Sequence, residues 1–296
     1  TAKLSVGIVS AYQFYGDGSN LSGTGFTQDS QCNLIAGYDA GTCADSDTCF
    51  NIILGCGTGR QLNSGDHNVL LGTHAGRCAC GGRFNVAIGM CAGTYITDAC
   101  DGVFIGKYAG TQLSAGQNIA IGCGAGCGSA TSSDNTGTKN VFIGEAAGGS
   151  LTTGSCNIAL GKNSMSANAV TGSNNITFGY KAGTSLTSGA HNFFAGHCAG
   201  ASMQGGAGSC NIAIGMDALC NNTSGQHNIA LGLEALSAST AQYNVAIGKH
   251  ALKLNNTGCY NVGLGWHAGQ GGTSGTANVS VGCLAGYCIG TGSNNV

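Results

Sequence analysis

The chain has 296 residues, with 55 Gly, 17 Cys, no Pro and only 7% charged residues. Gly far above the ordinary ~7%, without Pro or a Gly-X-Y period, excludes collagen, and a 42% hydrophobic content excludes a charged or Pro-rich disordered tail. A net charge of −2 with ten Lys and Arg argues against a nucleic-acid partner, and no apolar run approaches the ~18 residues of a membrane-spanning helix, so membrane insertion is not expected.

Residues 1–32 form an N-terminal segment that stands outside the pattern of the rest. From residue 33 to 296 one repeat fills the chain, aligned on the tract Asn-Val-Ala-Ile-Gly. Its Asn recurs as Asn33, Asn51, Asn68, Asn85, Asn118, Asn140, Asn157, Asn175, Asn192, Asn211, Asn228, Asn244, Asn261 and Asn278, with Gly102 in the same register. Spacings run from 16 to 22 residues and centre on 17. The longest repeat starts at Asn118 and takes its surplus in the polar stretch 129–138, where a bulging loop costs little. A further repeat opens at Asn295 and stops at Val296, and the chain starts at Thr1 without Met. The expectation is a piece of a longer protein.

With the Asn at position 0, position +1 is always Val, Ile, Leu or Phe, and position +3 is nearly always so, with Ala36 and Ala195 as departures. Position +4 is Gly throughout: Gly37, Gly55, Gly72, Gly89, Gly106, Gly122, Gly144, Gly161, Gly179, Gly196, Gly215, Gly232, Gly248, Gly265 and Gly282. Position +7 is Ala apart from Thr58 and Ser164; position +8 is Gly apart from Met165, Leu219, Leu236 and Leu252. Alternation of β-branched residues predicts a strand at +1 to +3. The Gly at +4 predicts a corner that excludes a Cβ. Seventeen residues are too few for a βαβ unit or a propeller blade. They suit one coil of an all-β parallel β-solenoid, or β-roll, of about 15 coils, rising ~4.8 Å per coil to roughly 70 Å. A stacked Asn column has a direct cause, because identical amides one strand spacing apart hydrogen-bond up the stack.

Position +2 (Ile53, Leu70, Phe104, Phe142, Phe194) lies on the strand face opposite +1 and +3. Both faces are apolar or small, which predicts burial of both. One narrow coil buries only its inner face, and the large apolar residues expected there, two per coil, fall short of the cost of ordering 17 residues. A parallel homotrimeric rod is therefore expected.

The cysteines occupy columns that carry Ser, Ala, Thr or Gly in other coils, so they read as small hydrophobes. No paired C-x₂₋₄-C zinc pattern is present, so neither a metal nor any cofactor is expected. Cys32 and Cys49 fall in nearly the same column of adjacent coils and are the best candidates for a disulfide, against a default of mostly reduced thiols. Charges at +5 and +6 (Lys107, Glu145, Lys162, Lys181, Asp217, Glu234, Lys249) read as a solvated convex edge. Gly106-Lys107 and its counterparts lack the Ser or Thr of a P-loop. No Ser, His and acid recur together, and twelve acids spread over the coils do not pair as a glycosidase requires, so no enzyme is expected. Aromatics at the corner (Tyr38, Tyr108, Tyr180, Trp266) are candidates for glycan contact.

The tract Asn-Val-Ala-Ile-Gly-x-x-Ala resembles the head repeats of trimeric autotransporter adhesins. That resemblance implies left-handed parallel β-rolls whose strands line a threefold axis, here with a longer outer loop. Residues 14–23, Phe-Tyr-Gly-Asp-Gly-Ser-Asn-Leu-Ser-Gly, resemble an element of bacteriophage tail-fibre proteins. The first resemblance covers about 260 residues and the second about 25. Together they imply a structural fibre, located on a virion appendage and used in host attachment. Its expected partners are two further copies of itself, other virion subunits, and a glycan or protein receptor on the host. The alternative is a bacterial surface adhesin or extracellular filament of the same architecture. An ice-binding solenoid would need a regular Thr array, which is missing.

Overall fold

A computed structural model describes residues 27–128, 135–167, 169–203 and 208–296. The tail-fibre-like element at 14–23 lies outside the described residues. The fold is an all-β solenoid without a helix among the described residues. Strand β1 (Thr27–Gln28) runs antiparallel to β2 (Leu34–Ala36). From β2 to β16 (Val279–Val281), fifteen three-residue strands stack in parallel and in sequence order, giving about fourteen turns in one sheet. The register is strict: +1 pairs with +1, +2 with +2 and +3 with +3, as in Val86↔Val103, Ala87↔Phe104 and Ile88↔Ile105. A slip by one residue would exchange the two faces, so the alternating pattern holds the register.

Backbone pairing continues around the coil beyond the strands. Val103 N–H donates to Asn118 C=O of the next coil (2.9 Å), while Gly106 N–H donates back to Ile88 C=O (2.8 Å) and Gly110 N–H forward to Ala125 C=O (2.9 Å). Each coil thus uses its neighbours above and below to satisfy backbone groups that a short strand would leave open. Turns close locally: Ala109 N–H donates to Gly106 C=O (3.2 Å) and Leu113 N–H to Gly110 C=O (3.2 Å).

Four columns per coil take positive φ. Those at +4 (φ 120 to 140°) are always Gly. A Cβ on Gly106 would lie 2.7 Å from the carbonyl oxygen of Gly122 in the next coil, so conformation and space both exclude a side chain. Position +8 is Gly or one of the four large residues. The columns at −1 (His67, Phe84, Tyr243) and, apart from Gly57 and Gly124, at +6 (Cys91, Cys198, Asp217, His250) carry ordinary side chains near φ 55 to 60°. Left-handed conformation is costly for such residues, and it recurs here because each turn is hydrogen-bonded on both sides.

The Asn column is buried, and at Asn211 its hydrogen-bonding capacity is saturated. Asn211 donates from Nδ2 to Asn192 Oδ1 (3.1 Å) and to Gly225 C=O at the end of its own coil (3.0 Å). Its Oδ1 accepts from the N–H and the Nδ2 of Asn228 (3.0 and 3.2 Å). Both donors and both lone pairs are used. The amide therefore does two things: it bonds adjacent coils, and it closes its own coil into a loop.

Gly102 shows what happens without the amide. Its N–H still donates to Asn85 Oδ1 (2.9 Å), but Asn118 Nδ2 turns to Ala115 C=O instead (3.0 Å). A Cβ on Gly102 would lie 2.6 Å from the Phe104 ring, so Phe104 occupies the volume the Asn side chain would take.

The core is a single file of side chains from +2, +7, +8 and +11, and their sizes compensate. Phe104, Phe142 and Phe194 at +2 lie over Gly110, Gly148 and Gly200 at +8, where a Cβ would be 2.0 to 2.6 Å from the ring. Where +8 is Leu219, Leu236 or Leu252, +2 of that coil is Ala, and +11 is Asn222, Ser239 or Asn255 rather than Leu62, Ile96 or Leu113. Asn222 and Asn255 then turn their amides onto Gly225 N–H (2.6 Å) and Gly258 N–H (2.9 Å) of their own loops. The exceptional Ser164 at +7 meets the exceptional Thr177 at +2 of the next coil, with the two hydroxyls 2.7 Å apart. Each deviation is filled or paired by another, as close packing demands.

The inner face is the +2 face. This corrects the expectation of two large apolar residues inside each coil: +2 is fully buried, but it is often Ala, while the larger pair at +1 and +3 points outward. Asn at 0 and Ala at +7 also point inward, and strict alternation along the strand leaves +1 and +3 no inward option.

Candidate functional site

The outward face of the sheet is the most extensive feature of the surface. Positions +1 and +3 place Val, Ile, Leu and Phe on it in every coil from β3 (Ile52–Leu54) to β16, with Ala195 the one departure, mostly half-buried by their neighbours along the stack. Several are more open: Ile212 is 39% exposed, Ile214 42%, Ile247 41% and Val281 64%. No charged side chain interrupts these two columns. An apolar strip that runs the length of a solenoid exceeds the scattered exposure normal for a single soluble chain.

Two further columns border the strip. At −1, Phe50, His67 and Phe84 stack with ring centroids 4.9 and 5.0 Å apart. His227, Tyr243 and Tyr260 do the same at 4.9 and 5.0 Å, with their ring planes nearly parallel. These spacings are the coil rise, so equivalent rings fall into stacking contact without adjustment. At +5, Tyr38, Met90, Tyr180, Met216 and Trp266 are exposed. Tyr180 carries the Lys181 ammonium over its ring at 5.3 Å, and Tyr108 carries that of Lys107 at 5.1 Å. The four aromatics expected at the corner (Tyr38, Tyr108, Tyr180 and Trp266) are therefore exposed but lie in different coils, not in one cluster.

The charged edge at +5 and +6 is laced along the stack. Lys162 Nζ lies 2.9 Å from Glu145 Oε2 in the coil before it, and this bond raises the Lys162 pKa. Glu234 receives the Lys253 ammonium, which holds its carboxyl below the usual range. His250 Nδ1 and His267 Nε2 are 3.2 Å apart, and His267 also meets Gln270 Oε1. Partial burial, then the Lys253 charge, lowers the His250 pKa.

All seventeen cysteines are free thiols. Cys32 and Cys49 are not bonded to each other: Cys32 stands at −1 and Cys49 at −2, and the residue paired above Cys32 is Phe50. Burial raises the pKa of Cys78, Cys127 and Cys220, which keeps them protonated and weakly nucleophilic.

The left-handed backbone of the −1 and +6 columns is what sequence reading passed over. Their residue types vary from coil to coil, so no single letter marks them. Their common property is a backbone conformation, visible only as the fixed offset from the Asn and the Gly. No helix of the described residues is long and apolar enough to cross a membrane. No protein-family model, curated protein or solved structure matches the chain.

Proposed function

We propose that this chain is the shaft of a non-enzymatic fibre, a homotrimeric β-solenoid rod on a virion appendage that provides reach for host attachment. The observation that carries the reading is the uncharged +1/+3 strip. It is apolar in every coil, faces away from the chain's own core, and repeats at the coil rise. A second copy of this chain is the partner that matches it, because its rungs recur with the same period over the same length. A parallel arrangement keeps each strip opposite another strip at every level. The low charge content fits a rod whose largest face is covered. The resemblance to adhesin head repeats and the tail-fibre-like element at 14–23 favour a fibre over other uses of a rod, and the appendage then docks to further virion subunits and a host receptor.

Sedimentation and light scattering on the full chain test the association. The expected mass is three times 29.1 kDa, and Ile212→Lys with Ile229→Lys converts the trimer to monomer with the β-rich circular dichroism spectrum retained. A wild-type chain that stays monomeric at micromolar concentration refutes the reading.

A further inference from the structure

The +6 column carries metal-ligating side chains in five successive coils: Cys198, Asp217, Glu234, His250 and His267. At its lower end this column meets His197 of the +5 column. His197 and Cys198 follow the corner glycine after β11 (Phe193–Ala195), and Asp217 holds the same corner after β12 (Ile212–Ile214). A ring nitrogen of His197, Cys198 Sγ and a carboxylate oxygen of Asp217 all lie within 4.8 Å of one another. Nineteen residues separate Cys198 from Asp217 along the chain. The coil repeat places one directly above the other.

We propose that His197, Cys198 and Asp217 form a binding site for Zn²⁺, with water in the fourth position. The donor set is one thiolate, one imidazole and one carboxylate, each an established ligand type for this ion. Tetrahedral zinc with bonds of ~2.0–2.3 Å needs its ligand atoms about 3.3–3.6 Å apart. The three atoms are therefore one side-chain adjustment from that geometry. His197 is exposed and the other two are half-buried, so they have room to make it.

The backbone that carries them is fixed. Cys198 N–H donates to Tyr180 C=O (3.0 Å), and Asp217 N–H to His197 C=O (2.9 Å). Both Cys198 and Asp217 stand at φ 55°, so they point outward in the same direction. His197 is further steadied by Tyr180, whose ring centroid is 5.3 Å away. No described residue forms a hydrogen bond or ion pair with the Asp217 carboxylate. The nearest cation of the column, Lys181, lies over Tyr180 instead. Zinc would displace the thiol proton to solvent and clip two adjacent coils at their corner.

The test is thiol protection on the full-length, metal-stripped protein. Zn²⁺ is added, a short pulse of alkylating reagent is applied, and each of the seventeen cysteines is read by peptide mass spectrometry. Ligation removes the sulfur from attack, so Zn²⁺ is expected to slow labelling of Cys198 by about tenfold or more, with exposed Cys123 and Cys283 unaffected. His197→Ala and Asp217→Asn each abolish the protection while the circular dichroism spectrum is unchanged; Cys220→Ser preserves it. Protection of Cys198 no greater than that of Cys123, protection that survives both ligand variants, or protection lost with Cys220→Ser overturns the assignment. Oligomeric state is read on the same samples, so the zinc site and the trimer stand or fall separately.

Discussion

Removing one amide from the middle of the Asn column tests the account of the fold most directly. Asn228 donates through Nδ2 to Asn211 Oδ1 (3.2 Å) and Ala241 C=O (2.8 Å), and its Oδ1 accepts from Asn244 N–H (3.0 Å) and Asn244 Nδ2 (3.3 Å). Asn228→Ala deletes all four bonds. It leaves the Ala241 carbonyl and two N–H donors of Asn244 buried without partners. Each orphaned group costs about 1–3 kcal/mol, and water entering the vacated space recovers part of this. The expected penalty is about 4 kcal/mol. A solenoid does not unfold as one unit, so a melting temperature averages the effect away. Hydrogen exchange reads it locally. The amides of Ile229 and Asn244 should exchange about a thousandfold faster at ~1.4 kcal/mol per decade, while those five coils distant stay unchanged. Acceleration below about tenfold at both amides would refute the argument that the column closes and bonds the coils.

Four further outcomes are expected. Asn192→Gly should cost about 1–2 kcal/mol less than Asn228→Gly, measured by the same exchange, because Phe194 at +2 can fill the gap as Phe104 does beside Gly102, whereas Ala230 cannot. Gly106→Ala should destabilise its coil by at least ~3 kcal/mol, since the new methyl meets the Gly122 backbone and takes a disfavoured φ; urea titration of local exchange checks it. Leu219→Gly should cost about 3 kcal/mol and Asn222→Leu should recover much of it, giving a coupling term of ~1–2 kcal/mol in a double-mutant cycle. The Glu234–Lys253 pair is stabilising while the carboxylate is charged: its pKa is depressed in the folded chain, so its contribution is whole above the ordinary Glu range and is lost as pH falls through the native value. Glu234→Gln should therefore be less resistant to urea by up to ~1 kcal/mol at about pH 6, with the difference shrinking as pH falls below the ordinary Glu range.

The sequence made the architecture legible because one letter pattern carried three independent constraints. Alternation at +1 to +3 set the strand, the Asn set the stack, and the Gly at +4 set a corner with no space for a Cβ. What it left hidden depends on two-body relations. Phe104 and Gly102 compensate each other, as do Leu219 and Asn222, and neither partner looks informative alone. Which strand face turns inward was also hidden. Apolar content favoured +1 and +3, yet the inner face holds whichever residue shares the side of the Asn, however small. His197 and Asp217 are twenty residues apart in sequence, so a search for closely spaced ligands overlooks them, although their columns are adjacent.

The size compensation within the core has a consequence for length. Coils of different composition keep one strand register, and each offers its neighbours the same backbone bonds along the strand. Excising or duplicating one whole period would leave the flanking coils with partners of the kind they already had. Such a molecule can be shortened or extended in steps of about 4.8 Å by loss or gain of whole repeats, so that its span varies while its strand register is kept.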